Sequence, residues 1–162
     1  MPHEFVVHPF DPVYDSESKV LILGSFPSVV SREKNFYYAN KGNRFWKLMS
    51  ELFDEEIIDR KQFCLDHHIA LWDVIASCSI EGSSDASIKD VTVNDINGLI
   101  QNTEIHTVFT TGKKASDLYR KYVDCDKEHV PLPSTSGANA AMSMDKLKEY
   151  YKVILEKLNE ES

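Results

Sequence analysis

Three stretches of this chain have residue types and spacing that could do chemistry. The first, Gly24-Ser25-Phe26-Pro27-Ser28, closes the apolar run Val20-Leu21-Ile22-Leu23. Gly24 lets the chain turn or a ligand approach the backbone, Pro27 fixes φ and ends sheet pairing, and the serines offer hydroxyls. The second, residues 31–47, interleaves Arg32, Lys34, Lys41, Arg44 and Lys47 with Phe36, Tyr37, Tyr38, Phe45 and Trp46, and with Glu33 its net charge is +4. Such a segment suits a surface that meets phosphates and stacks on a base. Tyr37 and Tyr38, adjacent in a polar stretch, are not expected both to point inward, which leaves one for a ligand. The third, Ser134-Thr135-Ser136-Gly137-Ala138-Asn139-Ala140, is a run of small residues ahead of a helix, and such a loop can set backbone N–H groups against a phosphate. Each stretch also has a plainer reading, respectively a βα turn, a helix core for Phe45 and Trp46, and a bare surface loop.

Several other chemistries lack their residues. There is no GxxxxGK[ST], no GxSxG, and Gly24-Ser25-Phe26-Pro27 lacks the further glycines of a dinucleotide fingerprint. His67 and His68 are adjacent, where a helical metal pair needs a spacing of four. Cys64, Cys78 and Cys125 are scattered and odd in number, so they read as reduced thiols and not as a disulfide, zinc or iron–sulfur framework. No metal or cofactor is expected. Amides, hydroxyls and one carboxylate remain, and Asp73 is an oddity in the apolar run Ile69–Ile75. That set suits a reaction needing electrostatic stabilisation and a positioned water more than a strong nucleophile.

The elements that must position these stretches follow from periodicity. Val20–Leu23 reads as a strand buried on both faces. Asn43 is expected to cap a helix from Arg44 to Leu52, with Phe45, Leu48, Met49 and Leu52 on one stripe. Residues 55–68 suggest a short helix with Ile57, Ile58, Phe63 and Leu65 inward. A second strand spans Ile69–Ile75, and Ser77–Ser87 reads as a long loop of small polar residues. Asn94 or Asp95 opens a helix through Ile100, Thr107–Gly112 is a third strand, and a helix covers Lys113–Tyr122. Glu128–Val130 suggests a short strand, and Phe5–Val7 an edge strand. The C-terminal helix places Leu147, Tyr150, Tyr151, Ile154, Leu155 and Leu158 on one face. Strand and helix alternating four times mean an α/β fold with a parallel sheet between helices. The strand ends Gly24-Ser25, Ser77-Cys78 and Thr111-Gly112 should then share the edge of the sheet where ligands bind.

Length and composition, 162 residues with 42% hydrophobic and 27% charged, suit one domain spanning 1–162. No run is long enough to span a membrane, and Met1–Phe5 lacks a signal-peptide pattern, so a cytoplasmic protein is expected. The net charge of −8 argues against a basic sheath for non-specific DNA affinity. It is regional, however, because residues 51–60 alone carry −4.

Five blocks occur in order: Leu21–Ser28; Phe36-Tyr37-Tyr38 with Asn43-Arg44-Phe45-Trp46; Leu71–Ile75 with Ser77-Cys78 and Gly82–Asp85; Gly112–Ala115; and Leu132–Ser136 with Ala138–Ala140. Together they resemble the hypoxanthine-DNA (deoxyinosine) glycosylase branch of the uracil-DNA glycosylase superfamily. The resemblance implies a three-layer α/β/α sandwich with a central four-stranded parallel sheet. It implies a monofunctional enzyme of base-excision repair that flips out deaminated bases, hypoxanthine first and uracil or xanthine after it, and removes them from DNA as a monomer. Asn43 is the implied catalytic residue, orienting the water that attacks C1′. Gly24, Ser25, Phe26, Pro27, Tyr38, Asp73, Ser77 and Cys78 are the implied base pocket. Within it Phe26 and Tyr38 would stack on the base, while Asp73, Ser77 and Cys78 would read its edge. Ser28, Lys113, Ser134, Thr135, Ser136, Gly137 and Asn139 are the implied DNA contacts. The chain departs from the pattern at Ser25, where Asp or Asn is usual, at Thr111, and at Gly137 in place of proline, which implies a more flexible loop. Neither Lys113 nor Lys114, at a helix start, reads as a Schiff-base lysine. A non-catalytic nucleic-acid or nucleotide-binding module and a nucleoside N-glycosidase stand as the alternatives.

Overall fold

A computed structural model describes residues 3–160. At its centre lies β2 (Val20–Gly24), in which every residue is buried. It pairs in parallel with β3 (Ile69–Asp73) and β6 (Thr107–Thr111), and β7 (Glu128–Leu132) completes a four-stranded parallel sheet of order β3-β2-β6-β7. Pro131 sits in β7 at the sheet edge, where a missing N–H costs no ladder bond. The alternation along β2 divides the core in two. Val20 and Ile22 join the cluster that also holds Phe45, Leu48 and Met49 of α2 (Phe45–Phe53), Phe63 of α3 (Arg60–Asp66), Leu147 and Tyr151 of α6 (Met144–Tyr151), and Ile154 of α7 (Val153–Leu158). Leu21 and Leu23 join the other, with Ile96 and Leu99 of α4 (Ile96–Ile100) and Leu118 and Tyr119 of α5 (Lys113–Tyr122). The sheet is covered on both faces, as expected of the α/β sandwich.

A second sheet is the main departure from the sequence reading. The stretch expected as a loop from Ser77 to Ser87 begins as β4 (Ile75–Ile80), which pairs antiparallel with β1 (Glu4–Val7) and β5 (Lys89–Val93). The strand expected to run to Ile75 ends at Asp73. Val74 N–H and Ile75 N–H then donate to the carbonyls of Gly24 and Ser25, and the chain crosses into the new sheet. Three small polar or sulfur residues in a row hide the strand pattern, whose buried positions are Ile75, Cys78 and Ile80.

Other differences are local. The helix after Asn43 starts at Phe45 and ends at Phe53, with Arg44 in the cap position. The helix expected within 55–68 spans only Arg60–Asp66 because Asp59 caps it through Gln62 N–H, and Ile58 is left 89% exposed. The C-terminal helix is interrupted at Lys152. Its buried residues Leu147, Tyr151 and Ile154 leave Tyr150 turned out.

Cys64 and Cys78 are buried and Cys125 is half-buried. Burial pushes the Cys64 thiol up to about 12 and raises that of Cys78. One thiol, Cys125, is therefore expected to react with a disulfide reagent in the native protein, and all three once it is unfolded. A colourimetric thiol titration measures this.

Candidate active site

The carboxyl ends of β2, β3 and β6 open into a cavity of about 380 Å³. Register sets its floor, because Gly24 lies beside Asp73 across the β2–β3 ladder. Asp73 is 3% exposed, and its Oδ2 lies 2.7 Å from His8 Nε2. A Cβ on Gly24 would come within 2.5 Å of Asp73 Oδ1, so a bare backbone is required there. Gly24→Ala is expected to displace the carboxylate and cost about 1–3 kcal/mol, a loss that thermal denaturation would register. Asn94 Nδ2 donates to the Asp73 carbonyl at 2.9 Å and fixes the strand end.

Both tyrosines turn inward, contrary to the expectation that they would not both do so, while Tyr38 still lines the cavity. A left-handed backbone at Tyr38 (φ 53°) breaks the alternation. Tyr37 is 2% exposed and donates to Asp11 O at 3.0 Å. The Tyr38 ring stacks on Phe45 with centroids 4.0 Å apart, and its hydroxyl lies 3.2 Å from Thr111 Oγ1. Thr111 donates to Leu23 O, so Tyr38 is the donor of the pair. Burial, and after it the nearby Asp73 carboxylate, raise both phenol pKa values well above the ordinary range. Both rings stay neutral.

One wall carries Ser25, whose hydroxyl donates to Asp85 Oδ1 at 3.0 Å. Removal from water raises the Asp85 carboxyl, against the pull of Ser25 and Lys114. Phe26 lies edge-on to His8, with the Arg32 guanidinium 5.7 Å from its centroid. Pro27 and Ser28 continue this wall, and Ser28 caps α1 (Val29–Lys34) through Ser31 N–H.

The rim is made by two segments distant in sequence. Asn43 Oδ1 accepts from Phe45 N–H at 2.9 Å and from the Thr135 hydroxyl at 2.7 Å. Both acceptor positions of that oxygen are filled, so the amide can offer a ligand only its NH₂ group. Arg44 N–H donates to Thr135 O, and the Arg44 guanidinium donates to the carbonyls of Ser136, Asn139 and Met142. A Cβ on Gly137 would come within 2.7 Å of Gly42 O. Gly137 is thus a close contact between the two segments, where the sequence suggested a flexible point. The N–H groups of Ser136, Ala138 and Asn139 are bonded inside the loop, to Ser134 Oγ, Ser136 Oγ and Ser136 O. Fewer amides face outward than the run of small residues suggested.

Gly24, Ser25, Phe26, Pro27, Ser28, Tyr38, Asn43, Asp73 and the loop 134–137 converge on one cavity. Ser77 and Cys78 do not. They lie on β4, where Ser77 pairs with Val7 and Cys78 is buried in the second core, because the chain has already left the parallel sheet. Lys113 is 89% exposed at the side chain and pairs with Asp117 at 2.6 Å, away from the lining. Asn139 Nδ2 is turned into its own loop, onto Ser134 O. The sequence reading passed over His8 and left Asp85 without a role. A lone carboxylate in an apolar strand signals a buried partner, but nothing local to His8 identifies it as that partner. Among the described residues no group of three His, Cys, Asp or Glu is placed to hold a metal ion, and no helix is long and apolar enough to cross a membrane.

Comparison with known proteins agrees with this arrangement. The family model of the Uracil DNA glycosylase superfamily matches residues 12–159. A protein of Methanosarcina acetivorans named hypoxanthine DNA glycosylase is 37% identical over 147 residues, covering 87% of this chain and 93% of that one. A protein of the same name from Methanosarcina barkeri is 34% identical over 136 residues, covering 80% and 86%. The solution NMR structure of a proposed uracil DNA glycosylase from Methanosarcina acetivorans matches with a TM-score of 0.76 at 34% identity, covering 93% of this chain and 97% of that one. With a parallel sheet ending in this cavity and a match running almost end to end, the chain belongs to the uracil DNA glycosylase superfamily.

Proposed function

We propose that the protein is a monofunctional DNA glycosylase of base-excision repair. It extrudes a deaminated base, hypoxanthine first and uracil or xanthine after it, and hydrolyses the bond between that base and C1′ of the deoxyribose. One observation carries this reading: a base-sized cavity has a buried carboxylate at its floor and a doubly anchored amide at its rim. DNA can send only a base to the floor, because the sugar and phosphates stay at the mouth. Asp73 therefore meets the edge of the base and Asn43 the sugar.

In the reaction the glycosidic electron pair leaves with the base, the sugar becomes oxocarbenium-like, and water adds to C1′ with loss of a proton. Asn43 is a poor base, but so electrophilic a carbon needs a positioned water more than a deprotonated one. Phe26 flanks the base on one side. Tyr38 offers the ring face that Phe45 does not cover. Ser134–Gly137 and Ser28 meet the flanking phosphates, and among the described residues that line the cavity there is no lysine to form a covalent imine. Cysteines that are scattered and odd in number suit a reducing cytoplasm, and the enzyme is read as a monomer that needs no cofactor.

The test uses duplexes with a single hypoxanthine, uracil or xanthine, followed by hot alkali to break abasic sites. Scission at hypoxanthine is expected. A protein that cuts none of the three is not a glycosylase of deaminated bases, and one that releases base only from free nucleosides is a nucleoside hydrolase.

A further inference from the structure

We propose that His8 is a positioning residue that fixes the hydrogen-bond polarity of the cavity floor, and so lets the site tell a deaminated base from its parent. The inference rests on the glycosylase reading and deepens it. His8 Nδ1 lies 2.9 Å from the Phe10 carbonyl, which can only accept, so Nδ1 carries a hydrogen. Its Nε2 lies 2.7 Å from Asp73 Oδ2. A single proton lies between them. On Nε2 it makes an imidazolium and a carboxylate, and on Oδ2 a neutral imidazole and a carboxylic acid. Oδ1 is an acceptor in both cases. Among the described residues no hydrogen bond reaches Oδ1, and it lies on the side of Gly24, another lining residue.

The floor therefore presents lone pairs and no proton. Hypoxanthine and uracil carry a ring N–H on their pairing edge, where adenine and cytosine carry a lone pair. At that ring position an obligate acceptor accepts from the first two and repels the lone pair of the others. Guanine carries an N–H there too, so the lock separates deaminated adenine and cytosine from their parents and does not separate xanthine from guanine. The imidazole is held among the rings of Phe10, Phe26 and Tyr37, at centroid distances of 4.6, 5.9 and 5.9 Å, and its side chain is 4% exposed. It has little room to turn.

The experiment measures binding apart from chemistry. Oligonucleotides carry 2′-fluoro-deoxyinosine or 2′-fluoro-deoxyadenosine, which resist hydrolysis, opposite an abasic spacer so that neither base is paired. The wild type is expected to prefer the inosine strand by about 100-fold, since a site built around a substrate N–H rejects an analogue without it. His8→Phe suits the aromatic cluster but frees Asp73 to turn a protonated oxygen into the cavity, and the preference should fall to within about threefold. Asp73→Asn should keep it, because the amide NH₂ then donates to His8 Nε2 and leaves the oxygen facing the cavity. Equal binding of the two strands by the wild type overturns the proposal, as does a full preference in His8→Phe or its loss in Asp73→Asn. If Asp73→Asn binds with preference yet excises nothing, Asp73 takes a proton in the reaction, and its role as a mere acceptor is overturned. If the wild type prefers inosine but cuts no base at all, the glycosylase reading fails and the lock stands.

Discussion

Asn43→Ala should lower single-turnover excision of hypoxanthine by about 10³-fold or more, the scale of losing the group that positions a reactant. Binding to a 2′-fluoro-deoxyinosine duplex should stay within about threefold, because Asn43 meets the sugar and the Arg44 guanidinium still holds the phosphate-facing loop through Ser136 O and Asn139 O. Asn43→Asp sharpens the result. Its carboxylate can still accept from Phe45 N–H and Thr135 through one oxygen, but it puts an acceptor where the amide had its NH₂. If the NH₂ group holds the water, Asn43→Asp is no more active than Asn43→Ala. Recovery of excision in the aspartate variant would show instead that the site lacks only a proton acceptor, and Asn43 would lose its assigned role.

Arg44→Met is expected to hurt almost as much, by another route. The methionine keeps the apolar stem but leaves the carbonyls of Ser136, Asn139 and Met142 without their donor. Orphaning these part-buried acceptors costs about 1–3 kcal/mol, and for a chain of this length that lowers Tm by roughly 2–10 °C. The loop 134–142 also loses its tether, so Thr135 no longer orients Asn43, and excision should fall about 100-fold with KM raised. Lysine cannot substitute, since one ammonium cannot reach three carbonyls in a plane. An Arg44→Lys protein as stable and active as the wild type would remove the tether from the account.

What the sequence displayed and what it hid follow from the range of the interactions. The strands Val20–Gly24 and Thr107–Thr111 and the helix Lys113–Tyr122 announce themselves because burial on two faces, or on one stripe, leaves a local pattern. Asn43 and the loop from Ser134 could be flagged from their own neighbourhoods and through the resemblance. Ser77 and Cys78 were misplaced because β4 is the middle strand of a separate sheet, between β5 and a partner some seventy residues earlier: Cys78 is opposite Val6. His8 was invisible for the same reason, sitting in a polar lead-in 65 residues from Asp73. That Tyr37 and Tyr38 both turn inward escapes the sequence because alternation assumes ordinary backbone, and the φ of Tyr38 is 53°.

The tether across the rim also bears on how the protein is made. Thr135 reaches Asn43 across 92 residues, and the Arg44 guanidinium reaches carbonyls 92 to 98 residues further along the chain. A ribosome synthesises Asn43 early, yet the atoms that aim it emerge only with the last quarter of the polypeptide. A stalled or clipped product that stops after β6 holds the strand ends and Asn43 but keeps only the Phe45 N–H to orient the amide. Half-made molecules therefore lack the completed rim, and excision is expected only once the last loop is in place.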